Sequence, residues 1–128
     1  MFDLSGKAAL ICGGSGGLGK GIAASLAKAG ANVVLSGRSK NKLDLAVDEV
    51  ATQTDTKIIG IQADITKPRD VNFLINTTID MFGKIDILVN SAGLNIRKPA
   101  IEVNEEDWDY LMNVQLKSVF FTCQQVAI

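Results

Sequence analysis

The chain has 128 residues, of which 47% are hydrophobic and 21% are charged, and its formal net charge is −1 at pH 7. This composition is typical of a globular domain and excludes a disordered chain. A charge so close to zero gives no electrostatic basis for binding nucleic acid or an anionic membrane. The chain has no histidine, and its two cysteines, Cys12 and Cys123, are far apart, so we expect no metal site.

The N-terminus has no secretory signal pattern, and no apolar run approaches the ~20 residues that span a bilayer. Cys12 and Cys123 both stand among apolar residues. We therefore predict two buried free thiols, as in a reducing compartment, and a cytoplasmic protein without membrane contact.

Short runs rich in Val, Ile and Leu alternate with helical patterns along the chain. The runs are residues 7–12, 32–36, 57–62 and 84–90, and each is typical of a parallel strand buried on both faces. The apolar stripes of the helices between them are Leu18, Ile22 and Leu26; Leu43, Val47 and Val50; and Val71, Leu74, Ile75, Ile79 and Phe82. The alternation predicts an α/β fold with a doubly wound parallel sheet.

Helix boundaries are marked by residues that favour them. Gly30 and Gly83 stand where helices should end, and Pro68 falls in a predicted first turn. Asn104 precedes three acidic residues, which predicts that one long helix covers residues 105–128. This helix is apolar on more than one side, so a neighbour must cover the side that faces away from the sheet. We expect contact with a second subunit there, and an intrachain neighbour is the alternative.

Five glycines occupy residues 13–19, between the first strand and the first helix. Backbone N–H groups at a helix N-terminus attract anions, and glycine lets a pyrophosphate approach closely. The spacing of Gly13, Gly17 and Gly19 is neither that of G-x-G-x-x-G nor that of a Walker P-loop. The pattern indicates a phosphate-binding turn, with a simple tight turn as the alternative.

Three motifs together resemble the short-chain dehydrogenase/reductase family. "CGGSGGLG" at 12–19 is similar to its Thr-Gly-x3-Gly-x-Gly motif with Cys12 in place of Thr, and "VNSAG" at 89–93 is similar to its Asn-Asn-Ala-Gly motif. "EEDWDYLMNVQLKSVFF" is similar to the helix of its fifth segment. The resemblance implies that residues 1–128 are one incomplete NAD(P)-binding Rossmann domain, the N-terminal half of the family fold. The segment 93–109 resembles the gluconate 5-dehydrogenase-like, tropinone-reductase-like and 3-oxoacyl-reductase-like branches.

The resemblance also implies site roles. Gly13, Gly17 and Gly19 would form the turn under the pyrophosphate, with Ser15 donating to a phosphate oxygen and Leu18 near the nicotinamide. Asp64 would accept from the adenine amino group, and Ile65 would cover the ring. A turn or capping acid is the alternative for Asp64. Asn90 would tie neighbouring strands, while Ala92 and Gly93 would leave room for the ribose.

The end of the second predicted strand distinguishes the cofactors. A site for NAD(H) usually has an acid there, about 20 residues past the glycine turn. Here Gly37 occupies that place, and Arg38 and Ser39 follow. A guanidinium can hold a 2′-phosphate with paired hydrogen bonds, and Ser39 can add a hydroxyl donor. We therefore predict NADP(H), with NAD(H) as the alternative.

The family's proton-transferring Tyr-x3-Lys pair does not occur in these 128 residues, so we expect the chain alone to be inactive. Gln115 stands at the position of the family's catalytic Asn, with its amide one methylene further out. The leading hypothesis is an NADP(H)-dependent oxidoreductase that interconverts a secondary alcohol and a ketone, with a small carbonyl or alcohol as substrate. The alternative is a non-catalytic nucleotide-binding or interaction module that pairs through its last helix. A methyltransferase would not explain "VNSAG".

Overall fold

The computed structural model of the protein describes residues 2–93 and 97–128. These residues form a parallel sheet of four strands in the order β3-β2-β1-β4. The strands are β1 (Ala8–Cys12), β2 (Asn32–Gly37), β3 (Ile58–Gln62) and β4 (Ile87–Asn90). The helices between them are α1 (Gly17–Lys28), α2 (Lys40–Ala51) and α3 (Pro68–Phe82). The doubly wound α/β fold predicted from the sequence is confirmed.

Alternation along β1 sends side chains into two separate cores. Ala9 and Ile11 pack against α1 and α2, whereas Leu10 and Cys12 pack against α3. Strands β1 and β2 are buried throughout except at the two ends of β2. The prediction that all four strands are buried on both faces is wrong for β3 and β4. Strand β4 is half-buried throughout, and β3 has exposed residues at Gly60 and Gln62. They are the outer strands of this sheet, and each therefore has one unpaired edge.

The first helix buries a different face from the predicted one. Leu18 is exposed, and the buried positions are Gly19, Ala23 and Ala27, one residue further along the chain. These small side chains let α1 approach the sheet closely, and Ile22 and Leu26 cover the rim of the core. Small residues that pack by close approach do not appear as an apolar stripe in the sequence.

The predicted helix boundaries are confirmed. Gly83 ends α3 in the left-handed conformation at φ 78°, and Gly30 takes φ 109° just beyond α1. Pro68 lies in the first turn of α3.

The predicted helix over 105–128 is divided into three parts. It comprises α4 (Glu105–Met112), a π-helical turn (Asn113–Lys117) and α5 (Ser118–Ala127), and a short 3₁₀ turn (Ala100–Glu102) precedes it. Val114, Ser118 and Thr122 are its buried residues, and the apolar side chains at 108, 112, 116 and 120 are exposed. A single π-turn shifts the register of the helix faces, so a uniform period of 3.6 residues does not identify the packed face.

The two thiols differ. Cys12 is buried, and this burial, with the neighbouring Cys123, raises the pKa of Cys12 to about 12. Cys123 is exposed, so the prediction of two buried cysteines is wrong for this residue. None of the helices in residues 2–93 and 97–128 is long and apolar enough to cross a membrane.

Candidate functional site

A cavity of about 320 Å³ opens where the four strands end. Its walls follow β1, β2, β3 and β4 in turn, and one side is closed by the helix that begins at Glu105. In open parallel sheets, ligands bind outside the carboxyl ends of the strands, at the point where the strand order reverses. Here that point lies between β1 and β4, because β2 and β3 extend on the other side of β1.

Three glycines, two in the turn after β1 and one in the first turn of α1, leave no room for a side chain. Gly13 has φ 85°, and a Cβ there would lie 2.4 Å from the backbone nitrogen of Ala92. A Cβ on Gly14 would lie 2.4 Å from Cδ2 of Leu35. A Cβ on Gly19 would lie 2.3 Å from the carbonyl oxygen of Gly13. The turn therefore lies directly against Leu35 of β2 and the residues that follow β4.

Gly17 has a different environment. A Cβ on Gly17 would have no atom of the described chain within 4 Å, and its φ is not left-handed. The residue opens α1, whose N-cap, Gly16, provides no capping side chain, and the first turn contains no acid. The N–H groups there can therefore meet an anion, and the absence of a side chain on Gly17 leaves room for it.

Arg38 is held at both ends on the turn after β2. Its carbonyl oxygen accepts a hydrogen bond from Nε2 of Gln62 at 2.9 Å, and its Nη1 donates to Oη of Tyr110 at 2.5 Å. Ser39 caps α2 by accepting from the backbone N–H of Lys42 at 3.5 Å, which leaves its hydroxyl proton to donate. A Cβ on Gly37 would lie 2.9 Å from Oγ of Ser15, so an acidic side chain at 37 would crowd Ser15.

Asp64 is a turn acid that also lines the cavity. Its Oδ1 accepts from the backbone N–H of Thr66 at 2.9 Å and from the Thr66 hydroxyl at 2.7 Å, as a turn acid does. The residue also lines the cavity. Partial burial acts to raise its pKa, but the Thr66 hydrogen bonds and the nearby positive charges of Arg38 and Lys67 outweigh that effect and lower it. Asp64 is therefore an ionised acceptor beside the cavity.

The Ser91 side chain ties the ends of β1 and β4, in addition to the backbone pairing of Asn90 with Cys12. The Oγ of Ser91 donates to the carbonyl oxygens of Cys12 and Gly13, at 2.9 and 3.3 Å. The Nδ2 of Asn90 instead donates to Sγ of Cys123, at 3.4 Å, and so links β4 to α5. The sequence did carry a signal for this side-chain bond, since Ser91 replaces the second Asn of the Asn-Asn-Ala-Gly motif.

Most of the predicted site residues meet at the cavity. Its walls include Gly13, Ser15, Arg38, Ser39, Asp64, Ile65, Ala92 and Gly93. The predicted residues outside these walls are Gly17, Leu18, Gly19, Asn90 and Gln115. Leu18 is 73% exposed, and Gln115 is exposed within the π-helical turn. The structure adds Tyr110 and Val114 to the walls, for which no motif gave a signal. Residues 94–96 of the branch-specific segment 93–109 lie outside the described residues.

Comparison with known proteins agrees with this geometry. The family model for short chain dehydrogenases matches residues 7–128. A hydroxynaphthalene reductase-like protein of Metarhizium acridum is 43% identical over 127 residues, which are 98% of this chain and 47% of that protein. The 2-dehydro-3-deoxy-D-gluconate 5-dehydrogenase of Dickeya dadantii is 40% identical over 126 residues, which are 98% of this chain and 49% of that enzyme. The chain thus spans about half the length of these relatives.

Solved structures share the fold over nearly the whole chain. A short-chain type dehydrogenase/reductase from Mycobacterium marinum superposes with a TM-score of 0.93 at 35% identity, covering 98% of this chain and 51% of that one. A blue fluorescent protein from a metagenomic library, solved in complex with NADPH, superposes with a TM-score of 0.88 at 32% identity, with the same coverage of 98% and 51%.

Proposed function

This chain belongs to the short-chain dehydrogenase family, and from that premise we propose that it is the cofactor-binding half of an NADP(H)-dependent oxidoreductase. The reaction proposed for the whole protein is the interconversion of a secondary alcohol and a ketone in the cytoplasm. When bound, the nicotinamide supplies or accepts the hydride. The residues of this chain bind and orient the cofactor.

The observation that carries the NADP(H) proposal is the pair Gly37 and Arg38 at the end of β2. Both residues line the cavity, and Gly37 stands at the position where an NAD(H) site usually has an acid for the ribose 2′-hydroxyl. The Arg38 guanidinium carries donors for a phosphate dianion, and Ser39 adds a hydroxyl. A phosphate on the ribose would neutralise this positive charge, which an unmodified ribose cannot do.

The pyrophosphate is proposed to lie at the start of α1. Space beside Gly17 and the uncapped N–H groups of the first turn fit an anion there. Asp64 and Ile65, at the other side of the cavity, are proposed to contact the adenine. Ala92 and Gly93, at the end of β4, would then lie beside the ribose. This placement uses the full width of the cavity between β3 and β4.

Titration of the purified full-length protein with NADPH and NADH tests the cofactor proposal. We expect NADPH to bind at least about tenfold tighter, and Arg38→Ala to remove that preference while NADH affinity changes less than about twofold. Lys40→Ala is the matched control, because Lys40 lies two residues away, pairs with Asp44 at 3.9 Å and does not line the cavity. Equal binding of both nucleotides by the unaltered protein would contradict the proposal.

A second candidate function is nucleotide binding without turnover. The feature that favours it is Gln115, which replaces the family's Asn and lies outside the cavity walls. Assay of ketone reduction with the full-length protein separates the two functions. Turnover supports the oxidoreductase, whereas tight NADPH binding with no turnover of any ketone in a broad panel supports the binding module.

We also propose self-association through the helical segment 105–127. Trp108, Met112, Leu116 and Phe120 recur every four residues and are 58%, 39%, 66% and 60% exposed. Leu116→Glu should lower the sedimentation coefficient of the full-length protein, whereas Leu45→Glu, at an apolar side chain of α2 that is 64% exposed, should not. Unfolding by Leu116→Glu without any change of assembly would instead indicate an intrachain neighbour.

A further inference from the structure

Tyr110 joins two parts of the cavity wall that are far apart in sequence. Its hydroxyl oxygen accepts the 2.5 Å hydrogen bond from Nη1 of Arg38, across 72 residues of chain. Tyr110 lies in the middle of α4, and Arg38 lies on the turn between β2 and α2. Both side chains line the same cavity. The contact therefore lies in the wall of the cavity and not in the protein core.

The contact restricts a side chain that would otherwise be mobile. Arg38 is exposed, and an exposed arginine samples many rotamers, so it loses entropy when a ligand fixes it. Gln62 already holds the Arg38 carbonyl oxygen from the end of β3. With Tyr110 at the guanidinium, both the backbone and the tip of Arg38 are fixed before any ligand arrives.

The remaining donors of Arg38 are sufficient for a phosphate. A guanidinium has five N–H groups, and the bond to Tyr110 uses one on Nη1. Bidentate binding of a phosphate needs two parallel N–H groups, which Nη2 and Nε supply. The bond to Tyr110 is a hydrogen bond to a hydroxyl oxygen and not an ion pair, so Tyr110 does not neutralise the guanidinium. Geometry and charge thus make Tyr110 a support for Arg38 and not a competitor of the ligand.

We propose that Tyr110 is a positioning residue that holds the Arg38 guanidinium towards the cavity and thereby sets selectivity for a 2′-phosphorylated adenosine. The inference rests on the proposed NADP(H) function and deepens it. It assigns to α4 a share in cofactor discrimination, which is otherwise attributed to the turn after β2 alone. Loss of the phenolic oxygen should weaken only the ligand that carries the 2′-phosphate.

The test uses two ligands that differ by that single group, adenosine 2′,5′-bisphosphate and adenosine 5′-monophosphate. Calorimetric titration of the full-length protein should show a preference for the bisphosphate. Tyr110→Phe keeps the ring and removes the acceptor, and it should reduce this preference about five- to tenfold with no change for the monophosphate. In an Arg38→Ala background, Tyr110→Phe should have no further effect, because Tyr110 acts through Arg38.

Three results would overturn the inference. An unchanged or increased preference in Tyr110→Phe, with a clear preference in the unaltered protein, refutes the role of Tyr110 and leaves the proposed cofactor intact. Equal losses of affinity for both ligands would mean that Tyr110 shapes the cavity and does not position Arg38. Absence of any preference in the unaltered protein would instead remove the NADP(H) proposal and this inference with it.

Discussion

Helices α1 and α4 begin in opposite ways. At the start of α4, the Asn104 side chain accepts from the backbone N–H of Asp107 at 2.8 Å, and the Asp107 carboxylate accepts in return from the N–H of Asn104 at 3.5 Å. Glu105 and Glu106 add negative charge to the same turn. At the start of α1, Gly16 provides no capping side chain, and the first turn contains no acid.

The difference separates a helix end that serves stability from one that serves binding. An N-cap side chain stabilises a helix by about 1 kcal/mol. An acidic residue in the first turn adds up to about 1 kcal/mol. Helix α4 has both, whereas α1 has neither, and its N-cap Gly16 lines the cavity. The N–H groups that no cap satisfies in α1 can instead bind an anion, which then provides the stabilisation that a cap would give.

An acidic cap on α1 should have the largest effect on binding. Gly16 already has the extended backbone of an N-cap, and a Cβ there would meet only the Gly13 carbonyl oxygen at 3.8 Å. Gly16→Asp should therefore raise the unfolding free energy by a few tenths of a kcal/mol. It should weaken NADPH binding by more than about 100-fold, because a carboxylate would lie beside the pyrophosphate.

Gly16→Asn is the matched control for this variant, since it caps the helix without a charge. Equal losses of NADPH affinity in the two variants, measured by fluorescence titration, would mean that the side chain blocks the site sterically. The electrostatic account of α1 would then be wrong.

Gly13→Ala should reduce stability rather than selectivity. The substitution combines a left-handed backbone with a contact 2.4 Å from the Ala92 nitrogen, so we expect the unfolding free energy to fall by about 2 to 3 kcal/mol. Gly6→Ala is the control that measures the cost of the left-handed backbone alone, because Gly6 has φ 79° and a Cβ there would meet no atom within 4 Å. Urea denaturation should show the smaller loss for Gly6→Ala, and equal losses would mean that the Ala92 contact relaxes without cost.

Gly17→Ala should separate binding from folding most cleanly. A methyl group there meets no atom of the described chain, so stability should remain equal or increase slightly. NADPH affinity should fall about tenfold, because the methyl group occupies space proposed for the pyrophosphate. Gly21→Ala, which also meets no atom and lies in the same helix, should leave affinity unchanged.

Asn104→Ala, which removes the cap of α4, should lower stability without weakening cofactor binding. Loss of the cap should lower the unfolding free energy by about 1 kcal/mol, with NADPH affinity within about twofold of the unaltered protein. Paired measurements of thermal unfolding and nucleotide titration test this separation. A large loss of affinity would show that the α4 terminus, and not only its Tyr110, supports the cavity.

The smallest effect concerns pH. Hydrogen bonding from Lys98 holds the pKa of Asp107 below its usual value, so the carboxylate stabilises the folded state above the pKa of the unfolded chain, about 3.9. This contribution is lost as the pH falls through the lowered pKa. Asp107→Asn should therefore be less stable than the unaltered protein near pH 7 but not near pH 2. Asp109→Asn removes the same charge two residues later and should show a smaller difference at neutral pH.

The sequence predicted those parts of the molecule in which a single requirement, such as lack of space, a left-handed backbone or burial, decides the residue type. Gly13 and Gly19 have no room for a side chain, and Gly83 needs a left-handed backbone, so residue type and spacing were sufficient to locate them. Buried strands such as β1 have continuous apolar runs, which identified the sheet.

The features that sequence reasoning missed depend on contacts between distant residues. Nothing near Tyr110 in the chain indicates that it reaches Arg38. Cys123 was predicted as buried because its neighbours in the sequence are apolar, but α5 buries Ser118 and Thr122 and leaves Cys123 exposed. On α1, the packed face consists of Gly19, Ala23 and Ala27, whose small size conceals it from a hydrophobic periodicity.

The crystal structure of the full-length protein with NADPH would test the central claim most directly. We predict the pyrophosphate beside Gly17 at the start of α1, and the 2′-phosphate about 3 Å from the Arg38 guanidinium, with Tyr110 still bonded to Arg38. A cofactor whose 2′-phosphate points to solvent, with Arg38 turned away from the cavity, would contradict the account.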